Sequence, residues 1–173
     1  LARPWEILCV TFTNKAAREM RERAQKLIGA SAEGLNNLGT FHSIAAQILR
    51  RHADLVGLKS SFTILDDDDQ VRLLKAIFEA EGLDQKRFPP KTFAWQIDQW
   101  KNKGLTPDKV SRSSSASGSA TQNAGEGAEF GGNKGVKLYQ AYQDRLRILN
   151  ACDFGDLLLH NLDILTKYPD VLE

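Results

Sequence analysis

Two stretches near the start of the chain follow one local grammar. In each, a short apolar segment runs through Thr-Phe into a polar pair that opens an amphipathic stretch. The first is Ile7-Leu8-Cys9-Val10 followed by Thr11-Phe12-Thr13-Asn14; the second is Leu35 to Phe41, ending in Gly39-Thr40-Phe41 and followed by His42-Ser43. A continuous apolar run this short, with a β-branched residue, fits a strand buried in a parallel sheet. After the first run, Ala16, Ala17, Met20, Ala24, Leu27 and Ile28 recur at helical spacing. They form one apolar stripe opposite Arg18, Glu19, Arg21, Glu22, Arg23 and Lys26. Arg18–Glu22, Glu19–Arg23 and Glu22–Lys26 are spaced to pair along that solvated face. Thr13 or Asn14 is placed to cap this helix, and Gly29 to stop it. A second helix is expected from His42 to about His52, with Ile44, Ala45, Ile48 and Leu49 inward. Strand, turn and helix, twice over, specify an α/β layer with a parallel sheet. Two strands cannot complete such a sheet. With no initiating Met, the chain reads as an excised piece of a longer protein.

Beyond Leu58 the grammar becomes helical. Phe62 to Leu65 reads as a short extended piece, and Asp66 to Asp69 as the acidic start of a helix carrying Val71, Leu73, Leu74, Ile77 and Phe78. Carboxylates there meet the positive end of the helix dipole. Gly82 should end that helix. Pro89-Pro90 opens another, with Phe93, Ile97 and Trp100 on one face and Gly104 as its stop. Sixteen of the 26 residues in 111–136 are Ser, Gly or Ala, the composition of a flexible loop. Helical spacing returns from Lys137 with Leu138, Tyr142, Leu146 and Leu149. Asp153 then caps a last helix with Phe154, Leu157, Leu158, Leu162 and Leu165. The expected organisation is an α/β part over 1–60, a helical subdomain over 61–152, and a return helix over 153–173.

Composition removes several classes of function. The 173 residues are 42% hydrophobic and 26% charged, as in an ordinary globular domain. The longest apolar runs are far too short to span a bilayer, and no secretory leader opens the sequence. Cys9 and Cys152 stand alone, without a CxxC or Cys/His cluster, which argues against a zinc module or disulfide scaffold and fits a reducing cytoplasm. Residues 1–60 carry nine Lys or Arg against five Asp or Glu, a mild basic bias compatible with phosphate binding. None of His42, His52 and His160 has the spacing of a catalytic Ser/His/acid set, so no catalytic residue is assigned. The Asp66–Asp69 run lacks the Gly and Glu spacing of a calcium loop, so no metal site is assigned. Trp95 and Trp100 read chiefly as core, with a contact to duplex or to another domain as the alternative.

The chemistry concentrates at the two Thr-Phe turns. In open α/β sheets ligands meet the loops at the carboxyl ends of the strands. Each turn there can offer hydroxyls and helix N-terminal N–H groups to a phosphate, and a ring to an unpaired base. Phe12 and Phe41 could instead be core residues. Lys101, Lys103, Lys109 and Arg112 form a second basic stretch beside the flexible loop, whose plain reading is solvated cations.

Thr11-Phe-Thr-Asn-Lys-Ala-Ala-Arg-Glu-Met20 resembles motif Ia of the UvrD/PcrA/Rep family of superfamily 1 DNA helicases, and Gly39-Thr-Phe-His-Ser43 resembles its motif Ib. Phe62-Thr-Ile-Leu-Asp66, Phe88-Pro-Pro-Lys-Thr-Phe-Ala-Trp95, Gly104-Leu-Thr-Pro107 and Asp153-Phe-Gly-Asp-Leu-Leu158 are similar to later family segments, in the right order. Only 111–136 has no counterpart. The resemblance implies part of a RecA-like motor domain joined to an all-α helical insert. It implies a parent that uses ATP and Mg²⁺ to move 3′ to 5′ along single-stranded DNA and to open single-strand/duplex junctions, in repair or replication. It assigns single-strand contacts to Thr11, Phe12, Thr13, Asn14, Thr40, Phe41, His42 and Ser43. It makes Lys101, Lys103, Lys109 and Arg112 possible duplex contacts. The phosphate loop GxxxxGK[ST] and the Asp-Glu pair that holds magnesium do not occur in these residues, so this chain alone should neither bind ATP productively nor hydrolyse it. The rest of the helicase chain is then its first partner, and no membrane is implied. Two alternatives stay open: a non-catalytic helicase-like docking module, and the motor part of a helicase–nuclease.

Overall fold

The computed structural model describes residues 2–116 and 133–172. The chain divides into two compact units, Leu1–His52 and Ala53–Glu173.

In the first unit, β1 (Cys9–Thr11) pairs in parallel with β2 (Leu38–Thr40), with Cys9 opposite Leu38 and Thr11 opposite Thr40. Helix α1 (Asn14–Ile28) crosses between them, and α2 (Phe41–Arg51) follows β2 directly. This is the expected strand–helix–strand–helix order. The strands are shorter than the apolar runs: Ile7 and Leu8 find no ladder partner and stay exposed. A small core of Ala32, Leu35 and Leu38 is flanked by Cys9, Ala17 and Ala24. Much of the α1 stripe is uncovered, since Met20, Leu27 and Ile28 are all exposed.

The second unit is helical around one short parallel pair, β3 (Thr63–Ile64) with β4 (Ala151–Cys152). That pair corrects the expectation of an all-α subdomain. It joins strands 88 residues apart in sequence through the register of Thr63 opposite Ala151. Helix α3 (Asp67–Ala80) begins at Asp66, whose carboxylate accepts from the Asp69 N–H at 2.8 Å. Helices α4 (Pro90–Asn102), α5 (Pro107–Ala116), α6 (Asn133–Ile148) and α7 (Phe154–Lys167) complete it. Leu74, Phe78, Phe93, Ile97, Tyr139 and Tyr142 are the fully enclosed centre of its core. Trp100 packs against that core, its ring stacked 5.4 Å from Tyr139, whereas Trp95 faces out.

Other expectations change. Residues 111–116 and 133–136, expected in a flexible loop, belong to α5 and α6. The remainder of that stretch, 117–132, lies outside the described residues. Leu149 is exposed where α6 ends. On α7 the buried face is Leu157, Leu159, Asn161 and Ile164, while Phe154, Leu158 and Leu162 are exposed. Helix α7 packs against α4 within the second unit.

Candidate nucleic-acid interface

The two Thr-Phe turns come together because β1 and β2 are parallel neighbours in register, so their carboxyl ends lie side by side. Thr13 caps α1 by accepting from the Ala16 N–H at 3.1 Å. Thr40 caps α2 in the same way, accepting from the Ser43 N–H at 3.2 Å. The Ser43 hydroxyl then donates back to the Thr40 carbonyl at 2.9 Å. Two helix N-termini, each a positive dipole end, therefore open onto one edge.

Phe12 sits between β1 and α1 with 90% of its surface exposed. Its ring lies 5.2 Å from that of Phe41 at a tilt of 44°. The Phe12 ring is thus not a core residue. Thr13, Asn14, Phe41, His42 and Ser43 are exposed beside it and Thr40 is half-buried. Thr11 is different. It is 8% exposed, and its hydroxyl donates to the Thr13 carbonyl at 3.1 Å. Expected as a contact residue, it acts inside the turn, holding the bend that turns Phe12 outward.

Gly39 is a requirement of the same edge. A Cβ built there would stand 2.5 Å from Ser43 Oγ and 3.6 Å from Ile44 Cδ1. A side chain at 39 would displace the Ser43 hydroxyl from the place where it donates to the Thr40 carbonyl. Arg21, exposed on α1 as expected, also donates its guanidinium to the Leu38 carbonyl at 3.0 Å.

In the second unit the four basic residues do not act alike. Lys101 is 4% exposed, and its Nζ lies 2.6 Å from Asp153 Oδ2 and 2.7 Å from Asp156 Oδ1. It cannot reach a duplex, which corrects its assignment. Tyr142 donates its hydroxyl to Asp153 at 2.9 Å, and Gln143 its amide to Asp156 at 3.0 Å. Asp153 is also the N-cap of α7, accepting from the Asp156 N–H at 2.9 Å. Gly155 leaves the space for this: a Cβ there would lie 2.9 Å from Lys101 Cδ. Burial and the neighbouring Asp156 charge push the Asp153 carboxyl above the usual carboxylate range, against the pull of Lys101. Burial acts upward on Asp156 too, but Lys101 and then His160 outweigh it and hold that carboxyl below the range. Burial alone would lower the Lys101 ammonium, and the two carboxylates hold it above its ordinary value.

The triad was missed from sequence. Its signal was a lysine one turn beyond Ile97 on the buried stripe of α4, together with the Asp153-x-x-Asp156 spacing of a capping box. Lys103, Lys109 and Arg112 are exposed. Lys109 and Arg112 line an open groove formed by α5, α6 and α7, whose other cations include Arg147 and Lys167. Among the described residues no group of His, Cys, Asp and Glu is arranged to hold a metal ion. No described helix is long and apolar enough to cross a membrane.

The sequence is similar to known helicases over its whole length. It is 44% identical to a probable DNA helicase II homolog of Rickettsia felis over 176 residues, covering 99% of this chain and 24% of that protein. It is 43% identical to the corresponding protein of Rickettsia conorii, with the same coverage. Against the ATP-dependent DNA helicase PcrA of Staphylococcus aureus it is 37% identical over 170 residues, 98% of this chain and 21% of that one. The chain thus spans between a fifth and a quarter of the length of these curated relatives. The UvrD/REP helicase N-terminal domain family matches residues 1–173. The chain belongs to that family.

Proposed function

We propose that these residues form part of an ATP-dependent DNA helicase that moves 3′ to 5′ along single-stranded DNA and unwinds duplex DNA in repair or replication. The names of the relatives support the helicase activity. The carrying observation for the DNA contact is Phe12, whose ring stands 90% exposed beside Phe41 at the carboxyl edge of a parallel sheet. An apolar ring gains nothing from water there. A base stacked on it is worth about 1–3 kcal/mol, and any base has a π-face, so such contacts tolerate every sequence. Thr13, Asn14, Thr40, His42 and Ser43 surround it with groups suited to the backbone, and Lys103, Lys109 and Arg112 are exposed cations suited to duplex phosphates.

ATP and Mg²⁺ are held by parts of the helicase outside these residues. This chain by itself binds neither and turns over no ATP. The protein works in the cytoplasm on single-strand/duplex junctions. The test is unwinding by the full-length protein, with ATP and Mg²⁺, of duplexes carrying a 3′ or a 5′ single-stranded tail. Unwinding of the 3′-tailed substrate is expected. Unwinding of only the 5′-tailed substrate overturns the polarity, and absence of both overturns the activity. Phosphate release by the 173-residue chain alone overturns the placement of the ATP site.

A further inference from the structure

We infer that Arg21 is a positioning residue for the aromatic pair: from helix α1 it fixes the strand β2, from whose end Phe41 opens α2, against the turn that carries Phe12. The inference rests on the single-strand reading above. The pairing of β1 with β2 covers three residue pairs, the last being Thr11 with Thr40. Beyond it Phe12 stands on the turn into α1, and Phe41 is the first residue of α2. So short a ladder restrains the two rings weakly. Arg21 adds a cross-tie from a different direction. It lies on α1, the helix that Thr13 caps directly after Phe12. Its Nη2 reaches the carbonyl of Leu38, three residues before Phe41. The Cys9 N–H is taken by the neighbouring Asn37 carbonyl at 2.9 Å, so the two bonds hold successive carbonyls of one segment from β1 and from α1.

An arginine suits the task. Its guanidinium is a charged, planar donor, and its bond to a neutral carbonyl is stronger than one between two neutral groups. A lysine at 21 keeps the charge and N–H donors without the planar fork, and an alanine keeps neither. If Arg21 orients the rings, its loss should weaken the capture of DNA without slowing the motor once DNA is bound.

The experiment compares Arg21→Ala, Arg21→Lys, Arg18→Ala and Phe12→Ala in the full-length protein. Arg18 is an exposed cation on the same helix and controls for the loss of one positive charge. The readouts are the oligo(dT) concentration giving half-maximal ATP turnover, the maximal DNA-stimulated rate, and the fluorescence change of a 2-aminopurine oligonucleotide on binding. Arg21→Ala should raise the half-maximal concentration about tenfold, the lower end for one charge-assisted hydrogen bond, with the maximal rate kept. It should also reduce the 2-aminopurine stacking signal at saturating DNA, and Arg21→Lys should restore most of both. Arg18→Ala should leave the stacking signal intact. If Arg21→Ala and Arg18→Ala are equivalent in both readouts, Arg21 contributes charge only and the inference fails. If Phe12→Ala leaves half-saturation and stacking unchanged, the single-strand reading itself fails. If Phe12→Ala weakens both and Arg21→Ala neither, the inference alone is overturned.

Discussion

Replacing Lys101 by Met removes one ammonium and little else, because the unbranched stem can still pass over Gly155 and pack beside Tyr142. What remains is two carboxylates, Asp153 and Asp156, whose side chains are 3% and 1% exposed. Breaking a buried ion pair by removing one partner costs about 3–5 kcal/mol, because the remaining charge is left without compensation. Here the hydroxyl of Tyr142 and the amide of Gln143 still donate to the two carboxylates, which places the expected loss near the lower end, about 3 kcal/mol at pH 7. For a chain of this size about 2–4 °C of melting temperature corresponds to each kcal/mol, so the midpoint should fall by about 6–12 °C. The pH dependence identifies the cause. Without Lys101 both carboxyls are raised relative to the unfolded chain, so acid stabilises the variant relative to the parent as it protonates them. The deficit should therefore be largest at pH 7 and shrink toward pH 5. Urea unfolding of both proteins at the two pH values measures this. A Lys101→Met protein as stable as the parent at pH 7, or a deficit that grows on acidification, would refute the assignment of Lys101 as the counter-charge of a buried pair.

Phe12→Ala should leave the melting temperature nearly unchanged, since surface substitutions fall within about 0.5 kcal/mol, and yet weaken oligonucleotide binding by about 1–3 kcal/mol, as fluorescence anisotropy of labelled oligo(dT) would record. Loss of fold with unchanged binding by the folded fraction would return the ring to the core. Gly39→Ala should displace the Ser43 hydroxyl, whose place its Cβ would meet at 2.5 Å, and so cost about 0.5–1.5 kcal/mol of stability, the size of one hydrogen bond, and weaken DNA binding; thermal melts alongside the same anisotropy titration would show it. Burial holds the His160 imidazole below its ordinary value of 6.5, so the folded state favours the neutral ring. Its contribution is complete above that value and is lost as pH falls through the lowered one, at up to about 1.4 kcal/mol per pH unit. His160→Gln should flatten the stability–pH curve between pH 7 and pH 5, and an unchanged slope would contradict the shift.

The sequence by itself determined helices α1 to α4 and α7, close to where they start, and that the two Thr-Phe turns are equivalent, whereas α5 and the first turn of α6, composed of loop-like Ser, Gly and Ala, were not legible. Periodicity and caps are local: Thr13, Asp66 and Asp153 each satisfy the N–H of a residue three positions on, so neighbouring letters carry the information. The placement of Phe12 at a sheet edge was legible for the same reason, as a ring between an apolar strand and a capped helix. Strand ends were not legible, because a strand ends where its partner does, and Ile7 and Leu8 have the composition of a strand without the neighbour. The fate of Lys101 was decided only in three dimensions. It, Lys103 and Lys109 are the same residue within nine positions, yet the first is enclosed with two carboxylates and the others meet water. Those carboxylates lie 52 and 55 residues away on α7. No local pattern reports a counter-charge brought from that distance, and without one the buried ammonium would cost several kcal/mol.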